Sequence, residues 1–509
     1  MSGTSIIILC TILAYMCVLI GVGVYNAKKN SNAEDFYLGG RSMGPYVVAM
    51  SAEASDMSSW LLMGLPGVAY LTGLADPFWT AAGLAAGTYL NWLLVSRRLR
   101  RYSEVVDAIT VPTFFSKRFH DKRNIISAIS AVMIIVFFVP YVASGFAACG
   151  KLFNTLFNLD YHTGMMLLAV IIVIYTIMGG FTTVATNDFI QSIVMSLALI
   201  SITVFGVKSA GGMQAVMENA KGLAGFFSFT ESYNAAANSA SPYGFLTIIS
   251  TLAWGLGYFG MPHVLVRFMA IEDEKELVVS RRVASIWVVI AMGTAVFIGI
   301  VGLAMVGTGS MNALADPETV IISITNLLAE NGFLAAVLGG MILAGILAAT
   351  MSTADSQLLV AASGVSEDII RDFFGKKLTE KQSLNIARIT ILVVSVIGVF
   401  IARDPNSSVF GIVSFAWAGI GAAFSGVMLC ALFWKRTTLA GAIAGMVTGG
   451  VMAFVWKYAV RPLGGVFNIY ELLPAFLISL VVIVVVSLCT KAPSQEVVDE
   501  FEKAKKAAK

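Results

Sequence analysis

Charge is scarce in this chain of 509 residues: Asp, Glu, Lys and Arg make up 12% of it, while 58% is apolar. Ordinary globular domains carry about 25% charged residues. Too little polar surface is available to cover a water-soluble fold, so the composition predicts an all-α integral membrane protein of many spans. Histidine is scarcer still, with His120, His162 and His263 far apart and no HExxH spacing. The five cysteines, Cys10, Cys17, Cys149, Cys430 and Cys489, show no CxxC pair and lie within or beside apolar segments. They read as small core or lipid-facing residues rather than metal ligands. A Walker loop and a haem motif are also missing, and these absences together speak against enzyme chemistry. No basic residue precedes the first apolar run, Ile6 to Val24, and Lys28 and Lys29 follow it. The run is therefore expected to be a retained helix and not a cleaved leader.

What is present is a series of apolar segments about 20 residues long. The expected spans are 5–25, 45–71, 75–96, 124–150, 162–180, 185–207, 242–270, 280–307, 331–370, 386–402, 405–433, 437–457 and 468–490, thirteen in all. With the N-terminus outside, 27 of the 33 Lys and Arg residues fall on the cytoplasmic side. That asymmetry predicts an outside N-terminus and a cytoplasmic C-terminus in a plasma (inner) membrane. The densest basic loop, residues 97–123, reads as a topology signal that also meets anionic lipid; nucleic acid is not expected there.

Two segments look interrupted. The second contains SAEASDMSSWLLMGLPG (Ser51 to Gly67), with Glu53, Asp56 and four serines inside an apolar run. The seventh contains STLAWGLGYFGMPHVLVRFMA, with Gly255, Gly257, Gly260 and Pro262 at its middle. They start five segments apart and enter from opposite sides. This predicts an inverted pair: one repeat over 45–207, an outer loop over 208–241 and a second repeat over 242–433. Residues 1–44 form an extra helix and inner loop, 434–490 two C-terminal helices, and 491–509 a short charged tail. In such pairs, unwound backbone offers carbonyls to ions and substrate near the bilayer midplane.

A carboxylate inside a membrane helix costs a few kcal/mol unless paired or hydrated, so Glu53 and Asp56 mark either a wet cavity or a binding site. A second polar group lies in AGILAATMSTADSQLLVAAS, where Ala349, Ser352 and Thr353 share one helical face. Hydroxyl and carbonyl oxygens suit a hard cation such as Na+. The alternative is hydroxyls bonding back to carbonyls of their own helix. Trp254, Tyr258 and Pro262 are spaced by four on the seventh segment, and Tyr141 follows Pro140. Aromatic faces with a polar edge suit a small amphiphilic ligand, or else anchor the helix at an interface.

Four ordered stretches carry a resemblance: YLGGRSMGPYVVAMSAEASDMSSWLLMGLPG, GGFTTVATNDFIQ, LAWGLGYFGMPHVLVRFMA and ILAATMSTADSQLLVAAS. Over residues 36–433 the sequence resembles the sodium/solute symporter family and, within it, the sodium/proline symporter branch. The resemblance implies a LeuT-type 5+5 inverted-repeat fold and symport of L-proline with Na+ by alternating access. By motif, it implies a sodium site of the Ala54, Met57 and Ala349 carbonyls with the Ser352 and Thr353 hydroxyls. It gives Asp56 a part in sodium affinity and Asp188 a part in sodium exit to the cytoplasm. Ser58 falls near both sites; Trp60, Tyr141, Trp254, Tyr258 and Pro262 line the proline pocket, and Arg41 belongs to the inner gate. Two positions depart from the branch, Glu53 and Ser59, where glycine is common. A second carboxylate beside the sodium site bears on cation choice or proton coupling. The other readings are the same fold carrying another small amino acid or carboxylate with Na+ or H+, and a transporter-like membrane sensor. No obligatory protein partner is evident.

Overall fold

The computed structural model describes residues 2–27 and 33–506; Lys28, Lys29 and the end of the charged tail lie outside them. The chain begins with the apolar helix α1 (Gly3–Ala27) and the short α2 (Ala33–Leu38). Next comes the first interrupted segment, which is α3 (Pro45–Asp56), a break at Met57, a single π turn (Trp60–Gly64) and α4 (Leu65–Thr72). α5 (Ala75–Leu90) continues through a π turn into the basic α6 (Ser96–Val105), and α7 (Val111–Arg118) lies in the basic loop. α8 (Ile125–Phe157) is followed by α9 (Tyr161–Ser209).

The expected spans 162–180 and 185–207 are thus joined without a loop. The backbone turns at Gly180 (φ 62°, ψ 179°), a conformation that favours glycine, and the helix resumes at once. The expected outer loop 208–241 is partly ordered, with α10 (Met213–Gly222) and an antiparallel hairpin of β1 (Glu231–Asn234) and β2 (Ser239–Pro242).

The second interrupted segment is α11 (Phe245–Leu252), a 3-10 stretch (Ala253–Gly260) and α12 (Pro262–Ala270), bent by 46°. Proline at the first position of α12 lacks the N–H that would continue the helix from before it. The chain goes on through α13 (Leu277–Gly307), the short α14 (Val320–Ala329), α15 (Phe333–Ser363) and α16 (Glu380–Ile401). It ends with α17 (Val409–Phe433), α18 (Leu439–Val455), α19 (Leu472–Cys489) and α20 (Gln495–Lys506). The charged tail therefore holds a helix. It sits against α6 and α7, with Arg118 over the Phe501 ring at 5.1 Å and His120 Nε2 2.9 Å from Glu500.

Among the described residues nine helices are long and apolar enough to cross a membrane, and ten if the bent pair is one span. The other three expected spans, 45–71, 75–96 and 162–180, are built from shorter pieces. α3 packs on α9, α13, α12 and α15, so the broken helix runs through the centre of the bundle. Close packing there depends on small residues. A Cβ on Gly87 of α5 would lie 2.3 Å from the Gly255 carbonyl oxygen, so these two helices meet backbone to backbone.

Candidate functional site

α3 stops because Met57 leaves helical geometry (φ −84°, ψ 53°), and the Ser58 hydroxyl accepts the Trp60 N–H at 3.3 Å, a local bond that competes with the helix. Carbonyls that would have bonded forward along the helix are then free. The Asp56 carbonyl accepts from the Trp60 indole and from the Tyr141 hydroxyl, each at 3.1 Å. The Ala54 carbonyl accepts from Ser352 at 2.7 Å, across the gap to α15. Ser352 also reaches the Ala349 carbonyl at 3.1 Å, and Thr353 reaches the same oxygen at 3.2 Å. Thr353 therefore bonds within its own helix, while Ser352 bridges two. Ala54, Ala349, Ser352 and Thr353 converge on one spot, with the Met57 break beside it. Their oxygens are the hard donor type that a sodium ion takes.

The aromatic residues gather on the other side of the break. Trp60 and Trp254 have ring centroids 6.1 Å apart, and Trp254 stacks on Tyr470 at 4.9 Å and 16°. Tyr258 meets Trp417 edge-on at 5.0 Å, and the Trp417 indole donates to the Trp254 carbonyl at 2.8 Å. Ser425 donates to the Leu256 carbonyl at 2.7 Å, which satisfies backbone in the 3-10 stretch. Trp254, Tyr258, Trp60 and Tyr141 are all buried, so none of them serves as an interfacial anchor. Pro262 stands apart from this group. It lines a small cavity with Tyr37, Thr110, Phe181, Arg267 and Ser356.

Asp188 is wholly buried and its Oδ2 accepts from Ser51 at 2.6 Å and from Arg267 at 3.0 Å. Arg267 also donates to Ser51 at 3.0 Å and to Ser356 at 2.6 Å. The count of 27 cytoplasmic Lys and Arg residues includes Arg267, near the end of the expected span 242–270; the structure instead holds it 1% exposed, in the bundle centre. Burial of the pair is tolerated because each charge meets the other and the Ser51 and Ser356 hydroxyls bond to it, although Asp188 Oδ1 has no hydrogen-bond partner. Glu53 is buried too, and its Oε1 accepts from the Trp92 indole at 3.0 Å. Trp92, Arg267, Trp417 and Tyr470 are site residues that sequence reasoning missed.

Two further clusters tie separate segments together. Arg41 donates to the carbonyls of Met269 (2.9 Å) and Ala108 (2.7 Å) and to Ser103 (3.2 Å), tying three segments together. Burial and the nearby Arg100 pull its pKa down from the usual arginine value, yet a guanidinium stays charged. At the opposite face Glu318 accepts from Val409 N–H (3.0 Å), Phe410 N–H (3.0 Å), Ser408 (2.9 Å) and Lys151 (2.7 Å), which caps α17. Lys151 also pairs with Asp316 at 2.8 Å.

Helices broken at the bundle centre, with an oxygen site on one side of the break and aromatics on the other, define a secondary transporter of the LeuT type. The solved structures agree. A substrate-bound outward-open Na+-coupled sialic acid symporter matches with a TM-score of 0.78 at 18% identity, over 96% of this chain and 99% of that one. Mhp1, a nucleobase-cation-symport-1 family transporter in a closed conformation, matches with a TM-score of 0.55 at 13% identity, over 93% of this chain and 99% of that one. Residues 36–449 match the model of the sodium:solute symporter family, and the chain belongs to that family. Two relatives, the sodium/proline symporters of Staphylococcus aureus strains JH9 and NCTC 8325 / PS 47, are each 40% identical over 502 residues, 97% of this chain and 95% of theirs. The family is one of transporters.

Proposed function

We propose that the protein imports L-proline by symport with Na+ across the plasma membrane, with the N-terminus outside and the C-terminus cytoplasmic. The name carried by relatives at 40% identity supports the substrate. One observation carries the coupling: the Asp56 carbonyl is gripped by both Trp60 and Tyr141, two residues from the Ala54 carbonyl that Ser352 engages. A sodium ion drawn to the Ala54, Met57 and Ala349 carbonyls and the Ser352 and Thr353 hydroxyls fixes the unwound backbone. The same backbone fixes the two aromatic side chains, so ion binding sets the proline pocket. Asp56 raises sodium affinity by its charge beside the site.

Residues 45–207 and 242–433 act as inverted repeats, each opening with a broken helix, and rock about the site in alternating access. Proline's ring lies against Trp60, Trp254 and Tyr258. Its carboxylate is held by N–H groups freed at the break, near Ser58. On the inward swing Arg41 releases its carbonyls, Pro262 opens with the inner cavity, and sodium leaves past Asp188. A membrane potential of 100 mV contributes about 2.3 kcal/mol for each charge carried, enough to concentrate substrate about fiftyfold.

The test is binding of tritiated proline to the purified protein at a series of sodium concentrations, with potassium as control. Proline affinity rises with sodium and not with potassium. Equal affinity in both salts would overturn the coupling, and competition by another small amino acid or carboxylate with no proline binding would move the substrate.

A further inference from the structure

One aromatic residue at the pocket comes from outside residues 45–207 and 242–433. Tyr470 stands just before α19 and lies beyond residues 36–449, the stretch that matches the family model. It is buried, and its ring stacks on Trp254 at 4.9 Å and 16°. The rings of Phe410 (5.5 Å, 45°), Trp60 (6.1 Å, 30°) and Trp417 (6.4 Å, 31°) also reach Trp254, but each is further away and tilted. A parallel stack resists rotation of the indole, because turning either ring gives up contact over the whole face.

Tyr470 is itself held at both ends. Its hydroxyl donates to the Ser414 carbonyl of α17 at 2.8 Å, and its N–H donates to the Ser250 hydroxyl of α11 at 3.3 Å. The next residue, Glu471, is wholly buried and pairs with Arg461 at 3.1 Å and with Lys457 at 3.9 Å. A buried carboxylate that left these cations would lose heavily, so the pairing pins the backbone beside Tyr470. The chain of contacts then runs from a charged cluster through Tyr470 to the indole that the substrate meets.

A pocket rejects one methylene too many only where its wall cannot retreat. A ring clamped as Tyr470 is clamped gives Trp254 such a wall. Resting on the symport reading above, we propose that Tyr470 is a positioning residue that holds the Trp254 indole and thereby sets the ring size the pocket accepts. The favoured ligand is a cyclic amino acid with a five-membered ring, and the excluded one is its six-membered homologue.

The experiment is competition by pipecolate, the six-membered homologue, against tritiated proline bound in sodium to the purified full-length protein. Wild type is expected to prefer proline about tenfold or more. Tyr470→Leu is expected to weaken proline about fivefold and to cut that preference about threefold, with the maximal uptake rate near wild type. Tyr470→Phe keeps the stack and keeps the preference. Binding of radioactive sodium without proline stays at the wild-type level in each variant, which a general loss of structure would not allow. Tyr470→Met, closer to tyrosine in length, decides the matter if Tyr470→Leu fails to fold. An unchanged preference in the folded Leu or Met variant, or a preference lost equally in Tyr470→Phe, would overturn the role of the stack. No proline binding by wild type would overturn the symport reading and this inference with it, so the two failures are distinct.

Discussion

At the scale of single residues, contacts to the ion and contacts to the substrate fall on different side chains. Asp56→Asn and Thr353→Ala each remove one oxygen or charge from the sodium side. Each is expected to raise the sodium needed for half-maximal uptake about tenfold or more, with little change in maximal rate. Trp254→Ala removes an aromatic wall and is expected to weaken proline about tenfold while leaving the sodium requirement near wild type. Sodium titrations of initial uptake rates check both. The Asp188–Arg267 pair gives a stability test, because removing one partner strands a buried charge. Asp188→Asn alone is expected to cost about 3–5 kcal/mol, and the double change Asp188→Asn with Arg267→Gln less, as read from thermal unfolding in detergent. Sequence made Asp56, Ser352 and Thr353 legible because polar side chains in an apolar run stand out. Arg267 was not legible: one arginine at the end of an apolar segment looks like a loop charge, yet after the bend that precedes α12 it is buried.

Among the elements, the two broken helices were readable in advance. Serine and carboxylate clustering marked the α3 break, and Gly255, Gly257, Gly260 and Pro262 marked the 3-10 stretch before α12. The merging of two spans at Gly180 was not, because Thr182, Thr183 and Asn187 look like a polar loop yet sit inside a helix. Trp417 and Tyr470 were missed for a different reason. Their role comes from packing on Trp254, which no local pattern reveals. Helix contacts yield their own prediction. Gly87→Ala places a methyl into the Gly255 backbone, so α5 must shift; a loss of about 1–3 kcal/mol in stability is expected. Melting temperature in detergent reads it, and an unchanged value would contradict the contact.

For the whole molecule, the arrangement is a helical bundle around two broken helices, with Arg41 and Glu318 each tying separate segments together. Coupling between ion and substrate is a thermodynamic property of the entire cycle, so the factor by which sodium raises proline affinity equals that by which proline raises sodium affinity. The most direct test is uptake of radiolabelled proline into proteoliposomes under an imposed inward sodium gradient, set against potassium and proton gradients of equal size. Accumulation is expected with sodium alone, abolished by excess unlabelled proline and increased by an inside-negative potential. Accumulation driven by protons, or no proline uptake under any gradient, would contradict sodium-coupled proline symport.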